Sequence, residues 1–351
     1  MTKTFDILTL VRATIQNLKP YSSARDEFQE APSDMVFLDA NENPFENGVN
    51  RYPDPNQTQL KLRLAALKGI SPNQILLGNG SDEVLDLIFR VFCEPNQDSI
   101  ISLPPTYGMY DVLANLNAIE HIKVVLDATF QPKVDAILAK ATGNSKLLFI
   151  CSPNNPTANS FEATKIERLI KEFKGIVVID EAYIDFSPEQ SWVHRLSEFP
   201  NLIVTQTLSK AYGMAGIRLG MCYASAEIIA VLHRIKPPYN VNELTQQRAL
   251  ERLSNPEEVT LEIQKILKQR DWMISELENI AIIQKVYPTD ANFILVKVDD
   301  ANKRYSQLIK KGIVVRNRSN QVLCDNCLRF TVGSQMECIK LITALKNLAD
   351  L

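Results

Sequence analysis

Between about residues 57 and 224, seven short and nearly continuous apolar runs recur: Ile75 to Leu77, Ser99 to Leu103, Ile122 to Leu126, Lys146 to Cys151, Gly175 to Ile179, Leu202 to Thr205 and Leu219 to Tyr223. Helical patterns separate them. A strand that is apolar on both sides has both faces covered, so runs of this kind with helices between them predict an α/β fold built on a mainly parallel sheet. Upstream, Phe5, Leu8, Val11, Ile15 and Leu18 recur at three- and four-residue spacing, which predicts an amphipathic helix ending before Pro20. Downstream of Pro237 and Pro238, a charged helical stretch covers roughly Glu243 to Glu278, and strands and helices then alternate to Leu351. The expected organisation is an amino-terminal arm (1–30), a large domain (31–240) whose first residues are placed to pack with the small one, and a linking helix with a small carboxy-terminal α/β domain (241–351).

Composition narrows the function classes. With 351 residues, 45% hydrophobic and 23% charged, the chain can bury a sizeable core, and 38 basic against 41 acidic residues without long runs of one sign leave no electrostatic footprint for nucleic acid. No run approaches the length of a membrane span, and Arg12 follows the apolar Ile7 to Val11 at once, unlike a signal peptide. A cytoplasmic protein that meets small molecules and its own copies is the expectation. Of six cysteines, Cys93, Cys151 and Cys222 lie in apolar runs and read as core residues. Cys324 and Cys327 form a CxxC pair, but three scattered histidines supply no further ligand spacing, so no metal is expected.

Ligands of open α/β sheets bind at the carboxyl ends of the strands, so the residues that follow each apolar run are informative. After Leu77 comes Gly78-Asn79-Gly80-Ser81-Asp82-Glu83, where two glycines free the backbone and Ser81 or Asp82 is expected to cap a helix running to about Phe92. Such a turn is either an anion site or an ordinary helix start. After Ile179 comes Asp180, costly at the end of a buried strand unless it meets a cation or several donors. Thirty residues on, Ser209-Lys210 precedes small and apolar residues, and burial of a lysine lowers its pKa toward that of an amine nucleophile. Asp180 and Lys210 form either a functional pair or a plain salt bridge.

Together these pieces, with Leu38 to Pro44, Arg51-Tyr52-Pro53, Pro104-Pro105-Thr106-Tyr107-Gly108-Met109-Tyr110, Cys151-Ser152-Pro153-Asn154-Asn155-Pro156-Thr157, Asp180-Glu181-Ala182-Tyr183, Thr207-Leu208-Ser209-Lys210 and Leu328-Arg329-Phe330-Thr331-Val332-Gly333, run over nearly the whole chain. In them the sequence resembles the fold-type I aminotransferases and, among these, the histidinol-phosphate aminotransferases. The resemblance implies pyridoxal 5′-phosphate as cofactor and assigns its parts. Lys210 would hold the cofactor covalently and move the proton at the substrate's Cα. Asp180 would hold the pyridine nitrogen protonated, an attraction of about 4 kcal/mol before desolvation at ~4 Å and an effective dielectric near ~20. Tyr183 and Asn155 would bond the phenolic oxygen, and Tyr107 would stack on the ring. Ser81, Asp82, Ser209 and Arg218 would bind the phosphate, reached by Tyr52 from a neighbouring subunit, which implies a homodimer.

For the substrate, the residues themselves leave a choice. Arg316 follows the strand-like Ile313 to Val315 and Arg329 sits in the next strand candidate, and two arginines suit a phosphate dianion or a dicarboxylate. The resemblance selects the first: Arg316, Arg329 and Tyr21, with Asn155, match positions that hold substrate, which would be histidinol phosphate, with 2-oxoglutarate or glutamate as second substrate. Arg318 reads as a solvated neighbour. Ala158 stands where the family usually has glycine, so the loop is expected not to need a positive φ there. Asp39 and Asn317 replace a frequent asparagine and a frequent aspartate. The same scaffold also suits an aromatic amino-acid aminotransferase or a threonine-phosphate decarboxylase.

Overall fold

The computed structural model describes residues 6–19 and 35–349. Seven strands form one sheet: β1 (Ile75–Asn79), β2 (Ser99–Ser102), β3 (Glu120–Lys123), β4 (Ser145–Cys151), β5 (Ile176–Asp180), β6 (Leu202–Thr207) and β7 (Leu219–Ala224), in the order β1-β7-β6-β5-β4-β2-β3. Only β7 runs against its neighbours, so the sheet is mainly parallel, as its apolar runs imply. Period-2 alternation sends successive residues to opposite cores. Leu147, Phe149 and Cys151 enter a core beneath the helix Ser81–Phe92, while Leu148 and Ile150 enter the one that holds Leu60, Leu169 and Trp192.

A second sheet, β8 (Ile283–Val286), β9 (Phe293–Val298), β10 (Arg316–Asn317) and β11 (Cys327–Thr331), is antiparallel throughout in the order β10-β11-β9-β8. Ile294, Val296, Val298, Leu328 and Phe330 turn into its own core, closed by the helices Pro256–Leu277, Ala301–Lys310 and Gln335–Ala349. The alternate residues turn the other way. Leu295 and Cys327 join the core of the large sheet, and Phe293 packs with Ala158, Tyr183, Phe186, Ala211 and Ala291 where the two sheets meet. Arg329, on that same face, is thereby aimed at the large sheet.

Several elements depart from the expectations. The repeat around Leu8, Val11 and Ile15 makes a 3-10 turn (Ile7–Thr9) and one α-turn (Ala13–Gln16), not one helix. Tertiary bonds break it: the Arg12 N–H donates to the Val91 carbonyl at 3.0 Å and its guanidinium bonds Glu94. The stretch Glu243 to Glu278 divides into Glu243–Leu253 and Pro256–Leu277, because the residue before a proline is pushed out of helical geometry while Pro256 suits a first helical position. The third strand begins two residues before its apolar run, although the Val124 and Leu126 N–H groups still donate across to β2 and the loop after it. Ala158 has φ +70°, contrary to the expectation for that loop. Its N–H bonds the Asn154 carbonyl at 2.7 Å and its methyl group is fully buried, so packing holds a backbone state that costs an alanine about 1–2 kcal/mol.

Candidate active site

Asp180 ends β5, Cys151 ends β4 and leads to Asn155, and Thr207 ends β6 and leads to Ser209 and Lys210. Because β7 is reversed, its start after Arg218 falls at the same edge as the ends of the parallel strands. A cavity of about 200 Å³ opens there, lined by Ser81, Asp82, Tyr107, Asn155, Asp180, Tyr183, Ser209, Lys210 and Arg218 among others.

The turn at Ser81 is built by close approach. Gly80 has φ +85°, and a Cβ there would lie 2.7 Å from the Arg218 guanidinium; one on Gly220 would lie 2.2 Å from the Ser81 nitrogen. Gly80, not Ser81 or Asp82, is the N-cap, so the two residues expected to cap instead supply the first free N–H groups of a twelve-residue helix. Their N–H groups and the helix dipole suit an anion, and the exposed Arg218 stands beside them at 3.8 Å from Asp82. Ser209 is held at the rim by Thr207, which donates to its hydroxyl at 3.0 Å.

Asp180 and Lys210 do not pair. Asp180 instead accepts from the Tyr110 hydroxyl at 3.0 Å and from the Ala182 N–H at 3.2 Å. Burial pushes its carboxyl up to about 6 against the pull of these two donors. A buried carboxylate short of a cation at the floor of a cavity fits a ring N–H. Lys210 is reachable from the cavity mouth, but partial burial and the nearby Arg329 charge hold its ammonium below the usual lysine range. Its Nζ lies 5.7 Å from the centre of the Tyr183 ring, and burial raises the Tyr183 phenol. An amine nucleophile, a buried acid and an anion turn thus face one another, and this donor set fits a pyridine aldehyde carrying a phosphate. Tyr107 reaches the cavity from beside Ser81, its hydroxyl donating to Asp82 at 3.0 Å.

From the second sheet, Arg329 bonds the Asn155 side-chain carbonyl and lies over the Phe293 ring, 5.0 Å from its centre. Phe293 in turn meets Tyr183 edge-on at 5.0 Å. Arg316 is directly opposite Arg329 in the β10–β11 ladder, and Arg316 is exposed. Tyr52 does not line this cavity: it is 50% exposed and stacks on Tyr239 with ring centres 4.5 Å apart. Tyr21 lies outside the described residues. Tyr110 joins the site through Asp180 although the sequence did not single it out, and Arg318 departs from its expected environment. Tyr110 carried a signal, as it ends the Pro104 to Tyr110 motif. Arg318, expected in solvent, is half-buried with its Nε shielded and unpaired.

Comparison with known proteins follows the same lines. The family model for aminotransferase class I and II matches residues 25–345. A histidinol-phosphate aminotransferase of Flavobacterium johnsoniae is 61% identical over 98% of this chain and 99% of its own length. That of Cytophaga hutchinsonii is 49% identical over 98% and 99%. Among solved structures, the histidinol-phosphate aminotransferase of Clostridium acetobutylicum superposes with a TM-score of 0.80 at 27% identity, over 86% of this chain and 91% of the other. The fold is shared with the Sinorhizobium meliloti enzyme solved in complex with pyridoxal-5′-phosphate, at TM-score 0.79 and 22% identity over 86% and 83%.

Proposed function

The chain belongs to the aminotransferase class I and II family, within which it groups with the histidinol-phosphate aminotransferases, and from that premise we propose how its residues work. It is a pyridoxal-phosphate enzyme that transfers the amino group of L-histidinol phosphate to 2-oxoglutarate, giving imidazole-acetol phosphate and L-glutamate, in histidine biosynthesis. The observation that carries the reading is the meeting of Lys210, Asp180 and the Ser81 turn in one cavity with Arg329 at its rim.

When bound, the cofactor supplies an aldehyde for the amine and a protonated ring that draws electrons from the substrate's Cα. Lys210 would hold it covalently; Ser81, Asp82, Ser209 and Arg218 would hold its phosphate, Tyr107 its ring face, and Tyr183 and Asn155 its phenolic oxygen. Asp180 keeps a negative charge at the floor, with Tyr110 and Ala182 donating to it. As a free amine, Lys210 Nζ would take the proton from the substrate's Cα and carry it to the cofactor side of the transfer. Partial burial and the Arg329 charge lower its pKa from the ordinary lysine value, which favours the free amine. Arg329 and Arg316 bind the substrate phosphate, joined in this reading by Tyr21, and Arg329 also takes the carboxylate of the second substrate.

The enzyme would act as a homodimer in the cytoplasm. The stretch from residue 35 to 53 leaves large apolar side chains in solvent, Leu38 at 89%, Phe45 at 79% and Val49 at 53% exposure, which a second copy would cover. Tyr52, in the same stretch and turned away from its own cavity, would then reach the partner's cofactor phosphate. The domain division at residues 30 and 240 is part of the same reading.

The direct test is an amino-transfer assay with histidinol phosphate and 2-oxoglutarate, scored for glutamate. Release of carbon dioxide would instead indicate the threonine-phosphate decarboxylase reaction, and turnover of phenylalanine or tyrosine in preference would indicate the aromatic aminotransferase.

A further inference from the structure

Arg316 stands opposite Arg329, and Asn317 opposite Leu328. The ladder continues one residue further, because the Arg318 N–H donates to the Cys327 carbonyl at 2.8 Å. Side chains alternate across a strand, so Arg316 and Arg318 project to the face that carries Arg329 and Cys327. That is the face turned toward Tyr183 and the cavity. Three guanidinium groups therefore share one patch. Among the described residues none of the three has a carboxylate partner, although most arginines of the chain do. The shielded Nε atoms of both Arg318 and Arg329 have no acceptor, nor has the buried Gln321 side-chain carbonyl in the loop between them a donor.

Such an arrangement is unfavourable when empty. Like charges repel, and a buried donor without an acceptor costs free energy. The repulsion registers on the groups themselves: Arg329 is pushed down to about 10 by burial and by Arg318, and Arg318 is lowered by burial and by Arg316. Both also act on the Tyr183 phenol, which places the patch beside the reacting end of the cavity. An anion with more than one charge removes the repulsion among the three guanidinium groups.

We propose that Arg318 is a specificity-determining residue that completes a three-arginine site for the phosphate dianion of the substrate. The inference rests on the reading of the substrate as a phosphate monoester. A single carboxylate is met by Arg329, whose position is set by its bond to Asn155. The second phosphate charge is what Arg318 answers, so its loss penalises the phosphorylated substrate more than glutamate.

The experiment follows the two half-reactions separately on cofactor-loaded Arg318→Gln and Arg318→Lys enzymes, with inorganic phosphate as a competing anion. Loss of a charge-assisted bond is expected to raise KM for histidinol phosphate, and the inhibition constant of inorganic phosphate, by about 10- to 100-fold in Arg318→Gln. The expected change in KM for glutamate is below about threefold. Arg318→Lys, which keeps the charge without the planar fork, should recover part of the loss and serves as the readout if the glutamine variant does not fold. Equal losses toward both substrates, or an unchanged response to histidinol phosphate and inorganic phosphate, would overturn the assignment. A wild-type enzyme that ignores histidinol phosphate would sink the substrate reading instead, and the inorganic phosphate arm would still decide the role of Arg318.

Discussion

The Tyr110 hydroxyl donates to Oδ2 of Asp180 at 3.0 Å, and both side chains are buried. Tyr110 is itself fixed by stacking on Phe149, ring centres 4.7 Å apart, beneath the sheet edge. The acid that faces the cavity thus takes its position and part of its charge stabilisation from a residue behind it. A hydrogen bond to a charged group contributes about 1.5–3 kcal/mol. Tyr110→Phe should raise the Asp180 carboxyl further above its ordinary range and lower kcat by about 10- to 100-fold, with KM for both substrates changing far less. Steady-state kinetics on the purified variant checks this, and an unchanged kcat would refute the role.

Asp180 also predicts a pH dependence of the cofactor-free protein. Burial pushes Asp180 and its neighbour Glu181 up to about 6 each, against unfolded values near ~4. A raised carboxyl pKa means that the folded state holds its proton more tightly. The corresponding stability is present below pH ~4 and is lost as pH rises through ~6. Urea unfolding of cofactor-free protein between pH 4 and 7 should show Asp180→Asn losing less stability than wild type over that window, by on the order of 3 kcal/mol. If both proteins respond alike, Asp180 is not the strained acid described here.

Much of the fold was legible because a strand covered on both faces must be apolar at every position, and six of the seven runs became strands, while the third, at the sheet edge, shares only Ile122 and Lys123 with β3. The reversed β7 was not legible, since its run Leu219 to Tyr223 reads the same in either direction. The amino-terminal repeat misled because period alone cannot register the tertiary bonds of Arg12. At the site, Lys210, Asp180 and the Ser81 turn announced themselves by following strands. Arg318 did not: an arginine after a short strand reads as solvated, and its burial depends on the β10–β11 pairing. Ala158 shows the same limit, as a positive φ at alanine is set by what surrounds it.

The two outer arginines should separate by substrate. Arg329, bonded to Asn155 and beside Lys210, is placed for either anion. Arg316 is exposed at the edge of the ladder. Arg329→Ala is expected to raise the apparent KM for both substrates by about 10-fold or more, whereas Arg316→Ala should mainly penalise the phosphorylated one. Parallel losses in the two variants, measured in the separate half-reactions, would contradict that division.

Tyr52 offers a test of site sharing. If it serves the partner's cavity, a mixed dimer of Tyr52→Ala and Lys210→Ala chains contains one site with both residues intact. The isolated mixed dimer should then recover activity toward half that of wild type. Activity that stays at the level of Tyr52→Ala alone would place Tyr52 outside the partner's site.

The central claim is that Lys210 carries pyridoxal phosphate and that histidinol phosphate is the amino donor. A spectral titration of the purified, cofactor-loaded protein with histidinol phosphate alone, without 2-oxoglutarate, tests both at once. The absorption of the Lys210-bound cofactor should give way to that of its aminated form with one equivalent per site, and Lys210→Ala should lack the starting band. A spectrum that histidinol phosphate leaves unchanged while tyrosine or phenylalanine bleaches it, or a starting band that survives Lys210→Ala, would contradict the account.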